Sequence, residues 1–187
     1  SVMNEKKLDL KTVVFAAVMA AIVCVVTFFR FPLLGSKVHF ANAMCLLSGL
    51  LLGPGVGGLA AGLGSALYDG LFGGYDVVNC LITFVSKFAM AWVCAMLVQP
   101  QKEGKNLHAR VILGSVLGAL SYVVLYMLKT FVYQRLVYGY PADTTWATML
   151  SKLPASLINA VVAFIAAPIL YAAIRPALKN AGLLEKL

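Results

Sequence analysis

Five apolar stretches constrain this chain more than anything else in it. Thr12–Phe29 runs 18 residues without a charge, Phe40–Tyr68 runs 29, Val111–Leu128 runs 18 and Leu153–Ile174 runs 22, while Val77–Val98 runs 22 with only Lys87 inside. At about 1.5 Å of rise per residue, helices of this length suit the roughly 30 Å of a bilayer's hydrocarbon core. Charged residues make up 12% of the chain, about half the share expected of a soluble domain. No polar segment exceeds roughly a dozen residues, so a second, soluble domain has no place. The chain is therefore expected to be an all-α integral membrane protein, a single membrane domain over 1–187.

The net charge of +8 does not call for a nucleic-acid partner, because cytoplasmic flanks of membrane helices are basic in their own right. Cys24, Cys45, Cys80 and Cys94 all lie inside apolar runs, form no CxxC and have no histidine at ligand spacing, so they read as small buried hydrophobes and no metal site is expected. Thr12–Phe29 is too long for a signal-peptide core and no clear small-residue cleavage site follows it, which makes it a retained first helix.

The 29-residue stretch is long for one crossing and short for two. Ten of the sixteen glycines fall between Gly49 and Asp76, and charge parity decides how to read them. Lys6, Lys7 and Lys11, then Lys102, Lys105 and Arg110, then Arg175, Lys179 and Lys186 form three basic islands. All three should face the cytoplasm, which requires an even number of crossings between neighbouring islands. The run "GPGVGG", Gly53–Gly58, then becomes a tight cytoplasmic turn between two short helices. A re-entrant hairpin satisfies the same parity. Six transmembrane helices follow, at about 10–29, 38–52, 55–72, 77–98, 111–133 and 147–174, with both termini cytoplasmic.

This topology places the polar residues. Asn79, Thr83 and Ser86 share one face of the outer half of the fourth helix, with Lys87 at its margin. Tyr122, Tyr126, Lys129 and Tyr133 follow one face of the outer half of the fifth; Lys152, Ser156 and Asn159 do so on the sixth, and Ser65 and Asp69 on the third. The inner halves are nearly blank. Charges facing lipid at the bilayer centre cost at least about 2.5–3.5 kcal/mol, so the stripes should face one another, forming a cup open to the outside above an apolar plug. Asn79, Thr83, Lys87, Tyr122, Tyr126, Lys129, Lys152, Ser156 and Asn159 are the expected substrate-binding residues. Lys87 has two open roles: a structural ion pair with Asp69, or a contact to substrate. The segment Arg30–Phe40, with Arg30, Lys37 and His39, reads as an outer loop able to act as a lid.

No phosphate-binding loop, HExxH or nucleophile with a partner base is present, so the chain is expected not to be an enzyme and to carry no cofactor. A stand-alone channel or carrier would need polar lining through the inner half. A chain that binds from outside, with neither an energy source nor a through-path, needs a partner. "AAVMAA" provides two small-xxx-small pairs, Ala16/Ala20 and Ala17/Ala21, that permit close helix docking.

In its six helices, its AxxxA motif in the first helix, its "LLLGPGVGGLAAGLGSALYDGLFGG" run and the following "TFVSKF", the chain resembles the substrate-binding S component of energy-coupling factor (ECF) vitamin transporters. The likeness covers nearly the whole chain and is nearest the riboflavin-type or unassigned-specificity subgroup. It implies a bacterial plasma-membrane protein that captures a water-soluble vitamin. It also implies partners: a transmembrane coupling protein, met through Ala16, Ala17, Ala20 and Ala21, and two ATPase subunits that use ATP. An S component of this kind topples in the membrane to release its load. No acidic cluster suits a cationic vitamin, which leaves riboflavin, a pyridoxine-type vitamin or pantothenate. A small stand-alone membrane carrier or channel is the alternative.

Overall fold

The computed structural model describes residues 9–33, 36–98 and 106–182. Six α-helices and one short hairpin follow in order: α1 (Leu10–Thr27), β1 (Arg30–Leu33), β2 (Ser36–His39), α2 (Ala41–Leu52), α3 (Pro54–Leu71), α4 (Val77–Val98), α5 (Leu107–Phe131) and α6 (Ala142–Asn180). A π-helical turn, Val132–Val137, extends α5. The helices α1, α4, α5 with its π-helical turn, and α6 are each long and apolar enough to cross a membrane. The helix α2 has 12 residues, about 18 Å of rise, too short to cross alone.

The reason α2 can be so short is where it sits. Every residue in it except Met44 is buried, and α1, α3, α4 and α6 pack around it. A helix apolar on all sides belongs inside a bundle, and "ANAMCLLSGLLL" is such a helix apart from Asn42 and Ser48. The core gathers on it: Leu46, Leu47, Leu50 and Leu51 meet Met90 and Cys94 of α4 and Ala163 and Ala167 of α6 in one cluster.

Glycines make this approach possible. A Cβ on Gly49 would lie 2.4 Å from the Ala91 carbonyl oxygen of α4, and one on Gly57 equally close to the Ser48 carbonyl oxygen of α2. The Ser48 hydroxyl donates to the Gly57 carbonyl at 2.8 Å across that contact. The turn is tighter than the sequence suggests. It is made by Gly53 alone, at φ 84°, and Pro54 already occupies the first turn of α3, where proline costs no hydrogen bond. The remainder of "GPGVGG" is helical: Gly57 faces the backbone of α2 and Gly58 the Phe88 ring of α4, while Gly55 faces open space.

The segment expected to be an outer loop is a hairpin instead. Arg30 pairs with His39 and Phe31 with Val38 in antiparallel register, and Val38 is fully buried. Four-residue strands are too short to show a period in a sequence. The basic residues Lys6, Lys7, Lys102, Lys105 and Lys186, on which the parity reading leaned, lie outside the described residues.

Candidate functional site

Two adjoining cavities open at the end of the bundle where α1 finishes and α2 begins. One, of about 160 Å³, is lined by Arg30, His39, Ser65, Asp69, Thr83 and Lys87, among others. The other, of about 290 Å³, is lined by Asn42, Lys152, Ala155, Ser156 and Asn159. Arg30, His39, Tyr122 and Tyr126 border both, so the two are lobes of one cup.

The partition between the lobes is built from α2, α4 and α5. Lys87 is 6% exposed and Asn42 2%, and the Lys87 ammonium donates to the Asn42 side-chain oxygen. The same ammonium lies 3.9 Å from the centroid of the Tyr122 ring. Tyr122 and Tyr126 stack one helical turn apart, centroids 6.3 Å and planes at 21°. The spacing of +4 on α5 puts both rings on one face.

Asp69 does not pair with Lys87. Its carboxylate accepts from the Thr83 hydroxyl at 2.6 Å. Among the described residues no ion pair closes on Lys87; its ammonium meets the Asn42 carbonyl and the Tyr122 face. Burying an ammonium without a counter-charge costs several kcal/mol. A cation over a desolvated aromatic face recovers about 2 kcal/mol of that.

The hairpin closes the cup from the side. The His39 backbone N–H donates to the Asn159 side-chain oxygen at 3.2 Å, and the Asn159 amide donates to the Ala155 carbonyl at 3.0 Å, tying β2 to α6. The His39 Nδ1 is buried without a hydrogen-bond partner among the described residues. Burial first, then the nearby charges of Lys87 and Arg30, hold the imidazole's pKa down to about 3, so it is neutral at physiological pH.

Eight of the nine expected substrate residues line the cup: Thr83, Lys87, Tyr122, Tyr126 and Lys129 in the first lobe, and Tyr122, Tyr126, Lys152, Ser156 and Asn159 in the second. Asn79 does not. Its backbone and side-chain N–H groups donate to Asp76 at 2.7 and 2.9 Å, so it fixes the start of α4 and holds the exposed Asp76 carboxyl below the usual carboxylate range. Arg30, His39 and Asn42 are among the lining residues that were not expected as substrate contacts. Arg30 and His39 read as loop residues, and Asn42 was missed; a lone Asn near the start of a wholly apolar helix was the available signal.

The alanine motif divides. Ala16 and Ala20 are half-buried and packed against the core, and a Cβ on Gly64 of α3 would lie 2.4 Å from the Ala20 carbonyl oxygen. Ala17 and Ala21 are exposed. They share α1 with exposed Val14, Val18 and Val25. Only the second pair is open to another protein.

Comparison with known proteins settles the family. The family model described as "ECF-type riboflavin transporter, S component" matches residues 7–176. The chain belongs to this family. A solved structure, "Structure and mechanism of the S component of a bacterial ECF transporter", has the same fold: TM-score 0.69 at 22% identity, over 90% of this chain and 98% of that one. A Pyrococcus woesei protein, "Uncharacterized protein in gap 3'region", is 29% identical over 106 residues, 55% of this chain. The match spans 66% of that relative's length. With its four membrane-length helices, this S-component family member is a multi-pass membrane protein.

Proposed function

We propose that this chain is the substrate-capture subunit of an ECF-type importer in the bacterial plasma membrane, holding one water-soluble vitamin in the two-lobed cup. The observation that carries the reading is the cup's one-sidedness. Polar and charged groups crowd one end of α3 to α6, while the layer beneath is Met90, Ala91, Cys94, Ala119, Ala163 and Ala167, all nearly or fully buried. Such a plug supports binding and argues against a stand-alone channel or carrier. Lobes of about 160 and 290 Å³ suit a small vitamin better than a larger cofactor.

In this reading the cup faces outward and both termini are cytoplasmic. Riboflavin, a pyridoxine-type vitamin and pantothenate are the candidate ligands. Uptake depends on a transmembrane coupling protein and two ATPases, the coupling protein docking on the open side of α1 at Ala17 and Ala21. The chain itself holds no nucleotide and catalyses nothing. The test is native mass spectrometry of the purified chain, paired with liposome flux. One small ligand bound per chain, with uptake only when the partner module and ATP are present, is the expected result. Flux through the chain alone would overturn the reading.

A further inference from the structure

Among the described residues, four cationic side chains line the cup, namely Arg30, Lys87, Lys129 and Lys152, against one carboxylate, Asp69. Asp69 is already engaged by Thr83. Lys129 and Lys152 stand toward the mouth, over the rings of Tyr133 and Tyr126 at 5.9 and 5.8 Å, where water screens them. Lys87 differs from both. It is buried in the partition between the lobes, and its ammonium has three donors. One goes to Asn42, and the ring of Tyr122 offers only a quadrupole. The carbonyl and the ring orient the charge without neutralising it.

We propose that the cup selects ligands bearing an anionic group, a carboxylate or a phosphate, and that Lys87 is the residue that reads it. The proposal rests on the vitamin-binding reading of the same cup. An anion at the partition touches Lys87 from the first lobe and comes within reach of Arg30, which borders both. It provides the counter-charge that the described residues do not supply there. A buried pair completed in this way loses several kcal/mol when either partner is removed, which makes charge a strong discriminator between otherwise similar molecules. The remaining ligand body lies along Tyr122 and Tyr126, whose stacked rings accept flat or apolar surfaces.

The experiment uses matched probes that differ only in the anionic group: pantothenate against its alcohol, pyridoxal phosphate against pyridoxal, and riboflavin phosphate against riboflavin. Binding to the purified full chain is measured by calorimetry, with Lys87→Gln and Tyr126→Ala variants alongside. In at least one pair the anionic member should bind at least tenfold tighter. Lys87→Gln should erase that preference, weakening the anionic member at least tenfold more than the neutral one. If in every pair that binds the neutral member is as tight as its anionic twin, the proposal is overturned; if Tyr126→Ala weakens that binding, the cup reading survives. Binding insensitive to both substitutions overturns the cup reading as well. If no anionic probe binds at all, the anion proposal fails.

Discussion

The Lys87 ammonium is buried 3.9 Å from the centre of the Tyr122 ring, and its one hydrogen-bond acceptor among the described residues is the neutral carbonyl of Asn42. A site that keeps an unneutralised charge for a ligand is a stability liability when empty. Replacing both polar partners, Lys87→Met with Asn42→Leu, should raise the melting temperature of the ligand-free protein in detergent. Either single change should do less, because each leaves one buried polar group unpaired at a cost of about 1–3 kcal/mol. Thermal melts of the four proteins as a double-mutant cycle measure this; simple additivity would refute it. Ligand binding should be lost in the double variant.

The Tyr122 ring can be separated from its hydroxyl. Tyr122→Phe keeps the aromatic face toward Lys87, whereas Tyr122→Leu removes it. The first should lower ligand affinity by less than about threefold, the second by tenfold or more, as expected for a desolvated cation–π contact of about 2 kcal/mol. Equal losses in calorimetry would mean that the hydroxyl, not the ring, does the holding.

Glycines that look alike in sequence should behave in opposite ways. Gly49→Ala and Gly64→Ala place a methyl 2.4 Å from a carbonyl oxygen of a neighbouring helix, and should cost about 1–3 kcal/mol or more as overpacking. Gly55 lies in the first turn of α3 with nothing within 4 Å of an added Cβ. Gly55→Ala should be neutral or stabilising by up to about 1 kcal/mol. Chemical or thermal unfolding of the three variants, compared side by side, checks the order.

The two alanine pairs of α1 should separate folding from transport. Ala16→Leu and Ala20→Leu intrude on the packed side and should lower thermal stability. Ala17→Leu and Ala21→Leu project from the open side, so they should spare both stability and ligand binding while blocking uptake in the reconstituted complex. Uptake that survives the Ala17 and Ala21 changes would place the docking surface elsewhere.

His39 gives a pH signature. Its folded-state pKa is lowered from 6.5 to about 3, so the unfolded chain binds a proton that the folded chain refuses. Stability from this residue is complete above about pH 6.5 and falls as the pH drops toward 3. Melting temperatures between pH 7 and 4.5 should therefore decline, and His39→Gln should flatten the decline. An unchanged slope in the variant would assign the acid sensitivity to other groups.

Much of the cup was legible because membrane burial makes polar residues expensive. Thr83, Lys87, Tyr122 and Tyr126 repeat at helical spacing in otherwise apolar stretches, and such a stripe has few places to go but inward. The six helices follow from the same contrast. Asn42 escaped because one polar residue makes no stripe. Asn79 lies off the cup because its hydrogen bonds go to Asp76, the residue before α4, and a residue in the first turn of a helix can have the same spacing as a lining one. The direction of Ala16 against Ala17 could not be read from α1, where both faces are apolar; it depends on Gly64 of a different helix. The single-residue turn at Gly53 was obscured by glycines that serve packing rather than bending.

The close approaches at glycine have a mechanical consequence. Gly64 locks α3 to α1, Gly57 locks α3 to α2, Gly49 locks α2 to α4, and Gly114 and Gly118 lock α5 to α4, each with a would-be Cβ within 2.7 Å of a carbonyl oxygen on the neighbour. Where main chain bears on main chain, there is no rotamer to change and no slack to absorb a slide. The helix α6, which carries Lys152, Ser156 and Asn159, contains no glycine, so it is not keyed to its neighbours in this way. The residue best known for making chains pliant supplies the stiffness of the other five.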